Sequence, residues 1–323
     1  MSFKGSEKEF ILSLSLQQNK GILEKELGFT LENMQLEKHY PGMKIDMYGF
    51  DNTGNEVFVE NVLLKSNTTH QKKVLKIINM IEKGSVVYLA YDFQEHHIKE
   101  LQQTILKSGK SINLYLIKLN PNILNPLEML NRMHKLKIYE NLHLLNITNP
   151  IQFLEKDSIV KPIQGTKIER KEKRYNFESR KDANEYLLET LRKRIPYFLP
   201  FHRQKANLDS IRVISFGAGR SDCNYFVSLS DRRNMAFVEL RFSENTSKIY
   251  NAIKEKEVLV KERIGEKVVF KDNSILVEFK PLKSVEDTVE ELVDIFEKMI
   301  IAFSNYTYYF YEEHMWQYHS QGI

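Results

Sequence analysis

Lys44-Ile45-Asp46-Met47-Tyr48-Gly49 and Val57-Phe58-Val59-Glu60-Asn61-Val62-Leu63-Leu64 flank the segment Asp51-Asn52-Thr53-Gly54-Asn55. The flanks are rich in β-branched and aromatic residues, and the middle is rich in residues that tolerate tight turns. The stretch therefore predicts a hairpin. Asp46 and Glu60 each lie seven residues from Thr53. In an antiparallel hairpin centred there they stand opposite each other, with Cβ atoms roughly 5 Å apart. Two carboxylates so placed among apolar residues repel. A hard cation such as Mg²⁺ or Mn²⁺ would cancel that repulsion, activate water and stabilise charge on a phosphate. Exposure of one carboxylate to solvent, or pairing with a lysine, would also satisfy the pair. Spacing alone leaves both readings open.

Outward from the hairpin, residues 7–27 predict a helix, although Phe10, Leu12, Leu14 and Leu16 also alternate with Ser13 and Ser15 as a strand would. Gly28 is a plausible helix stop. A further strand fits 31–40. A helix near 69–83 has Val74, Leu75, Ile77, Ile78 and Ile81 at helical spacing, with Gly84 as its end. A strand over 86–90, a helix near 94–107 and a strand over 112–119 follow. Helical crossovers late in this order predict a mixed sheet with helices on both faces. The expected organisation is one domain over 1–150, a basic polar linker over 151–179 and a second domain over 180–323. In the second, helices fit 183–194, 244–256 and 285–304, strands fit 211–217, 224–230 and 235–242, and a strand pair fits 267–279.

The 323-residue chain is 42% hydrophobic and 28% charged, which suits buried cores and a soluble protein. No run of 18 apolar residues suggests a membrane span. The N-terminus lacks the apolar stretch of a secretory signal, and one cysteine, Cys223, excludes an internal disulfide. A cytoplasmic location is expected. The net charge of +4 is mild, but residues 161–205 hold 13 Lys or Arg against 6 Asp or Glu. Arg170, Lys171, Lys173 and Arg174 form one cluster there, and Arg192, Lys193 and Arg194 another. Each reads equally as a solvated face or as a phosphate-binding patch.

The stretch Ile45-Asp46-Met47 … Val57-Phe58-Val59-Glu60-Asn61-Val62-Leu63 resembles the core of the PD-(D/E)XK, or restriction-endonuclease-like, nucleases. More narrowly, it resembles bacterial proteins that join such a domain to a recurring α/β C-terminal domain. In these a Glu-Asn-Gln-Leu-type motif ends the second strand, and a Lys-Thr-Asp-His-x-His-like segment opens a helix. Glu60, Asn61, Leu63, Lys65 and His70 match, and Ser66 and Asn67 are conservative changes. Phe93-Gln94-Glu95-His96-His97 is similar to the opening of the next helix, and Gly217, Val238-Glu239-Leu240 and Ile264-Gly265 to the partner domain.

The resemblance covers most of the chain. It implies an α/β protein: a restriction-endonuclease-like mixed sheet flanked by helices, plus a second α+β domain. It also implies a Mg²⁺- or Mn²⁺-dependent DNA endonuclease, acting in restriction or anti-phage defence. Asp46 and Glu60 would bind metal. Lys65 would serve in catalysis, and Lys65 and His70 would contact DNA beside the two basic clusters.

One departure matters. The pattern places Lys, or Gln in these relatives, two residues after the glutamate, and Val62 stands there. Valine neither donates nor accepts a hydrogen bond. Lys65 has the wrong parity for that face unless a bulge intervenes. Lys44 has the right parity, and Glu24 or Glu26 of the first helix could add a metal ligand. Loss of cleavage leaves the alternative of an inactive nuclease-fold module that binds nucleic acid or a protein partner. A third reading, an interaction scaffold, needs the acidic pair solvated and metal-free.

Other signals are weak. Gly109-Lys110-Ser111 has the wrong element order for a phosphate loop. The aromatic run Tyr306, Tyr308, Tyr309, Phe310, Tyr311, Trp316, Tyr318 suits core packing or a homo-oligomer interface better than base stacking.

Overall fold

In a computed structural model of the chain, the described residues are 7–146, 150–161 and 174–310. The chain divides into two compact units, Met1–Glu172 with His202–Lys205, and Lys173–Phe201 with Ala206–Ile323.

The first unit carries α1 (Lys8–Gln18), α2 (Gly21–Leu27), β1 (Leu31–Tyr40), β2 (Met43–Asp51), β3 (Glu56–Lys65), α3 (Thr68–Met80), β4 (Lys83–Asp92), α4 (Glu95–Ser108), β5 (Ser111–Leu119), α5 (Leu124–Arg132) and β6 (Ile151–Phe153). Its six strands lie in sequence order. The β3–β4 and β4–β5 pairs are parallel, because α3 and α4 return the chain to the same end of the sheet. The other pairs are antiparallel. This is the mixed sheet flanked by helices that the sequence predicts.

Successive strand residues point to opposite faces. On one face Phe58, Val62, Tyr88 and Leu116 pack with Val74, Ile77 and Ile78 of α3 and Leu101 and Ile105 of α4. On the other, Asn61 Nδ2 donates to Ser13 Oγ of α1 at 2.6 Å. Ser13 and Ser15 are buried along with Phe10, Ile11, Leu12, Leu14 and Leu16, so α1 has no polar stripe over this stretch. That is why its pattern also read as a strand.

Three expectations change. The single helix over 7–27 is two helices, broken at Asn19, and Gly28 caps the second at φ +76°. Residues 151–161 are not linker: Ile151–Phe153 forms β6, and Ile159 N donates to Leu114 O at 3.0 Å. Gly84 does not end α3 but lies within β4 at φ +147°, where an added Cβ would meet Glu56 O at 2.6 Å.

The second unit carries α6 (Arg180–Arg194), β7 (Ile214–Gly217), β8 (Cys223–Ser228), β9 (Ala236–Phe242), α7 (Ser247–Lys254), α8 (Glu257–Ile264), β10 (Val268–Lys271), β11 (Ser274–Phe279) and α9 (Val285–Tyr309). Its five strands form an antiparallel sheet in the order β10-β11-β9-β8-β7. The helix expected over 244–256 is α7, and α8, beyond that range, was not foreseen. Phe198, Phe201, Phe216 and Tyr225 pack their rings around Phe296 of α9. Tyr306 and Tyr309 are buried, which fits core packing, whereas Tyr311, Trp316 and Tyr318 lie outside the described residues. None of the described helices is long and apolar enough to cross a membrane.

Candidate active site

The hairpin turn fixes the site. The Asp51 carboxylate accepts from Thr53 N and Thr53 Oγ1 at 2.8 Å, and from Asn55 N and Asn55 Nδ2 at 2.9 Å. Short polar side chains that bond their own backbone stabilise such turns. The resulting register pairs Met47 with Val59 and Tyr48 with Phe58. One step further along it, Asp46 stands across from Glu60. Asp46 N donates to Glu60 Oε1 at 3.4 Å, and Asn61 N donates to Asp46 Oδ2 at 3.0 Å.

The cation that answers these charges comes from α3. Asn67 caps that helix by accepting from Thr69 N and His70 N, each at 3.1 Å. Lys73 follows one turn before buried Ile77, at the edge of the apolar stripe. Its Nζ lies 2.5 Å from Glu60 Oε2 and 3.2 Å from Asp46 Oδ1. The contact with Oε2 is a short, charge-assisted one to an oxygen that is otherwise buried.

The Glu60 side chain is 0% exposed, against 25% for Asp46 and 23% for Lys73. Burial, then the Asp46 charge, pushes the Glu60 carboxyl well above the usual carboxylate range, against the pull of Lys73. Burial works to lower the Lys73 ammonium, but Glu60 and Asp46 outweigh it and hold its pKa above the ordinary lysine value.

The donor set fits a small hard cation. It offers two facing carboxylates and a position where a positive charge already sits. Mg²⁺ commonly takes one or two carboxylates and fills its remaining positions with water and substrate phosphate. Among the described residues, no group of three or more His, Cys, Asp or Glu is placed to hold a metal.

The other sequence-derived residues fall elsewhere. Val62 is 2% exposed within the apolar core under α3 and α4, so the spot two residues after Glu60 is dry. A bulge does follow Val62, yet Lys65 is exposed and pairs with Asp92 at 3.6 Å rather than with Asp46 or Glu60. Lys44 pairs with Glu37 at 3.2 Å. Glu24 accepts from Leu31 N, and Glu26 accepts from Phe153 N, so both serve as backbone anchors. The backbone of His70 belongs to the α3 cap, and its Nδ1 is buried without a partner.

Glu9 of α1, rather than Glu24 or Glu26 of α2, shares a cleft with Asp46. It accepts from Leu63 N at 3.3 Å and lines a cleft of about 270 Å³ with Phe10, Ser13, Glu37, Asp46 and Arg203. The Arg203 guanidinium lies 4.2 Å from the centre of the Phe10 ring and bonds Glu37 at 2.6 Å. No motif marked Glu9 or Arg203. The signal for Lys73 was a charge one turn before Ile77, at the margin of the helix's apolar face.

The basic clusters are corrected in part. Arg170, Lys171 and Lys173 lie outside the described residues, and Arg174 is exposed. Arg192 Nε donates to Phe201 O at 2.8 Å, and burial lowers its guanidinium pKa. Arg194 pairs with Glu290 at 2.5 Å and Asp294 at 2.7 Å on α9. Both arginines are therefore engaged within the unit, Arg194 by α9 and Arg192 by the Phe201 carbonyl. Lys193 alone of the three is exposed without a partner among the described residues.

The chain is similar to a solved repair endonuclease from Pyrococcus abyssi, with 22% identity, coverage of 38% of this chain and 50% of that chain, and a TM-score of 0.29. It thus spans about half the length of that structure. No protein-family model and no curated protein matches the chain.

Proposed function

We propose that the first unit is a metal-dependent nuclease domain acting on DNA, with Asp46 and Glu60 as metal ligands and Lys73 as the site lysine. One observation carries the reading: the Lys73 ammonium reaches both facing carboxylates from the helix that follows β3. The position vacated at Val62 is thereby served from α3. Bound Mg²⁺ or Mn²⁺ would supply Lewis acidity and a more acidic bound water. Asp46, part-exposed at the cleft, is the carboxylate that meets solvent and ligand. Glu60, fully buried, fixes the inner end of the site. Lys73 neutralises the pair when no metal is present, and its charge can offset negative charge on a phosphate. A role in restriction or defence against foreign DNA rests on the family resemblance alone.

A second reading has its own support. Asp46 Oδ1 is engaged by Lys73 and Oδ2 by Asn61 N, so the triad is already internally satisfied. That arrangement suits a domain that keeps the fold for binding and has lost cleavage.

The deciding experiment combines Mn²⁺ titration calorimetry with plasmid cleavage in Mg²⁺. The wild type should bind Mn²⁺ and cut, and Asp46→Asn should lose both. Lys73→Met should retain Mn²⁺ binding but lose cutting by on the order of 10²–10³, the size of effect of one electrostatic group. A wild type that neither binds Mn²⁺ nor cuts refutes the nuclease reading.

A further inference from the structure

The second unit carries a surface that the first unit's chemistry does not use. Tyr225, Val227, Val238, Leu240 and Val277 face the core, where Tyr225 OH donates to Met299 O of α9 at 3.2 Å. On the opposite face Phe237, Glu239 and Ser274 are buried, while other positions stay exposed. Register places Phe226 beside Glu239, Glu239 beside Leu276, and Arg241 between Asn224 and Ser274, all on that face. Ser215, Arg241, Val269 and Lys271 are exposed there. A cleft of about 890 Å³ opens over it, lined by Arg212, Arg232, Arg233, Arg241, Lys271 and Phe237 among others.

Two features of this face point to a ligand. The first is a planar platform. The Arg241 guanidinium lies 4.4 Å from the centre of the Phe226 ring, and Glu239, two residues back, holds it at 2.5 Å. The fork is therefore fixed in place while its side chain remains 54% exposed. Guanidinium planes and aromatic rings are the surfaces on which unpaired bases stack.

The second feature is unbalanced charge. Arg233 is engaged by Asp231 at 3.0 Å and Glu278 at 2.8 Å. Among the described residues, Arg212, Arg232 and Lys271 have no acidic partner, against one unengaged carboxylate at the cleft, Asp272. Five strands about 4.8 Å apart make the sheet about 19 Å wide, so the cleft can follow a short run of chain rather than a single small anion.

We propose that the cleft over this sheet face binds single-stranded nucleic acid. Bases stack on the Arg241–Phe226 platform, and phosphates meet Arg212, Arg232 and Lys271. An unpaired strand offers the bases that a duplex keeps stacked inside. The inference is independent of the chemistry at Asp46 and Glu60.

The test uses the full chain in EDTA, so that cleavage plays no part. Fluorescence anisotropy measures binding of a labelled oligothymidylate and oligouridylate of ~12 nucleotides, within the site sizes of single-strand-binding folds. A duplex of equal length and heparin serve as controls. The wild type should bind at least one of the single strands. Replacing Arg212, Arg232 and Lys271 together by alanine, all exposed, should weaken binding at least about tenfold. It should also flatten the salt slope by about 2, since each phosphate contact on a single strand contributes about 0.7. Arg241→Lys keeps the charge and loses the plane. It should weaken single-strand binding about 5- to 100-fold with the slope unchanged and heparin binding unaffected.

Two results overturn the proposal: no single-strand binding by the wild type, or a triple variant whose single-strand affinity and slope match the wild type. If Arg241→Lys binds as well as the wild type, the stacking platform is wrong and the face is an unspecific cationic patch. Circular dichroism of each variant separates loss of binding from loss of fold.

Discussion

The ammonium of Lys73 meets the buried carboxylate of Glu60 at 2.5 Å, joining α3 to β3 through one charged contact beneath the helix. Glu60 and Asn61 are neighbours in sequence, yet Glu60 answers to α3 and Asn61 to Ser13 of α1 on the other face. Removing the cation would leave a buried carboxylate facing Asp46 with nothing to neutralise it. Lys73→Met in EDTA should therefore lose about 3–5 kcal/mol of stability, the cost of breaking a buried pair. Adding Mn²⁺ should recover part of that loss, because a ligand that binds only the folded state stabilises it. Urea melts with and without Mn²⁺ measure both. An unchanged EDTA midpoint would mean that the contact does not form.

Val62→Lys would restore the residue type that the family pattern places two positions after the glutamate. The structure predicts harm instead. Val62 is 2% exposed among Phe58, Val74 and Ile78, with no room for a hydrated ammonium. The new charge would also share its surroundings with Lys73. Several kcal/mol of destabilisation is expected, the size of an unpaired buried charge. Cleavage should not rise. A variant as stable as the wild type with enhanced cutting would return the catalytic lysine to β3.

Arg192→Ala should cost about 1.5–3 kcal/mol, because it removes a charged donor from the Phe201 carbonyl and leaves that oxygen without it. Arg194→Ala breaks two surface pairs to α9 and should cost no more than about 1 kcal/mol. Lys193→Ala should be silent. Denaturation curves for the three single variants check this order. A salt-dependent loss of DNA binding at unchanged stability would make the cluster a phosphate contact after all.

His97 gives a pH dependence. Ser66 Oγ accepts from Gln94 N at 2.9 Å, which leaves the hydroxyl proton to donate to His97 Nδ1 at 2.9 Å. Burial, then the neighbouring charge of His96, lowers the His97 pKa below 6.5. The unfolded chain therefore binds the proton more readily than the folded one. The stability that neutral His97 contributes is present above pH 6.5 and is lost as pH falls from there through the folded-state value. His97→Gln should remove that part of the slope. Equal slopes in urea midpoints between about pH 7.5 and pH 5.5 would place the ring in water.

The sequence by itself determined the hairpin, its turn and the face-to-face placement of Asp46 and Glu60. Those depend on local turn chemistry and a side-chain period of two, and Asp51 with Asn55 fixes both within a few residues. It likewise determined the mixed sheet of the first unit, because strands and crossover helices announce themselves by period. The cation was decided only by tertiary structure. Lys73 lies 13 residues after Glu60, and only the packing of α3 over β3 brings the two together. Lys65, five residues after Glu60, is turned outward by the bulge after Val62 and takes Asp92 instead. The arginines of α6 read equally as a solvated face or a phosphate patch, because a linear pattern cannot show α9, whose Glu290 and Asp294 engage Arg194. Local order follows from neighbours along the chain, whereas a charge's partner is set by what the fold stacks against it.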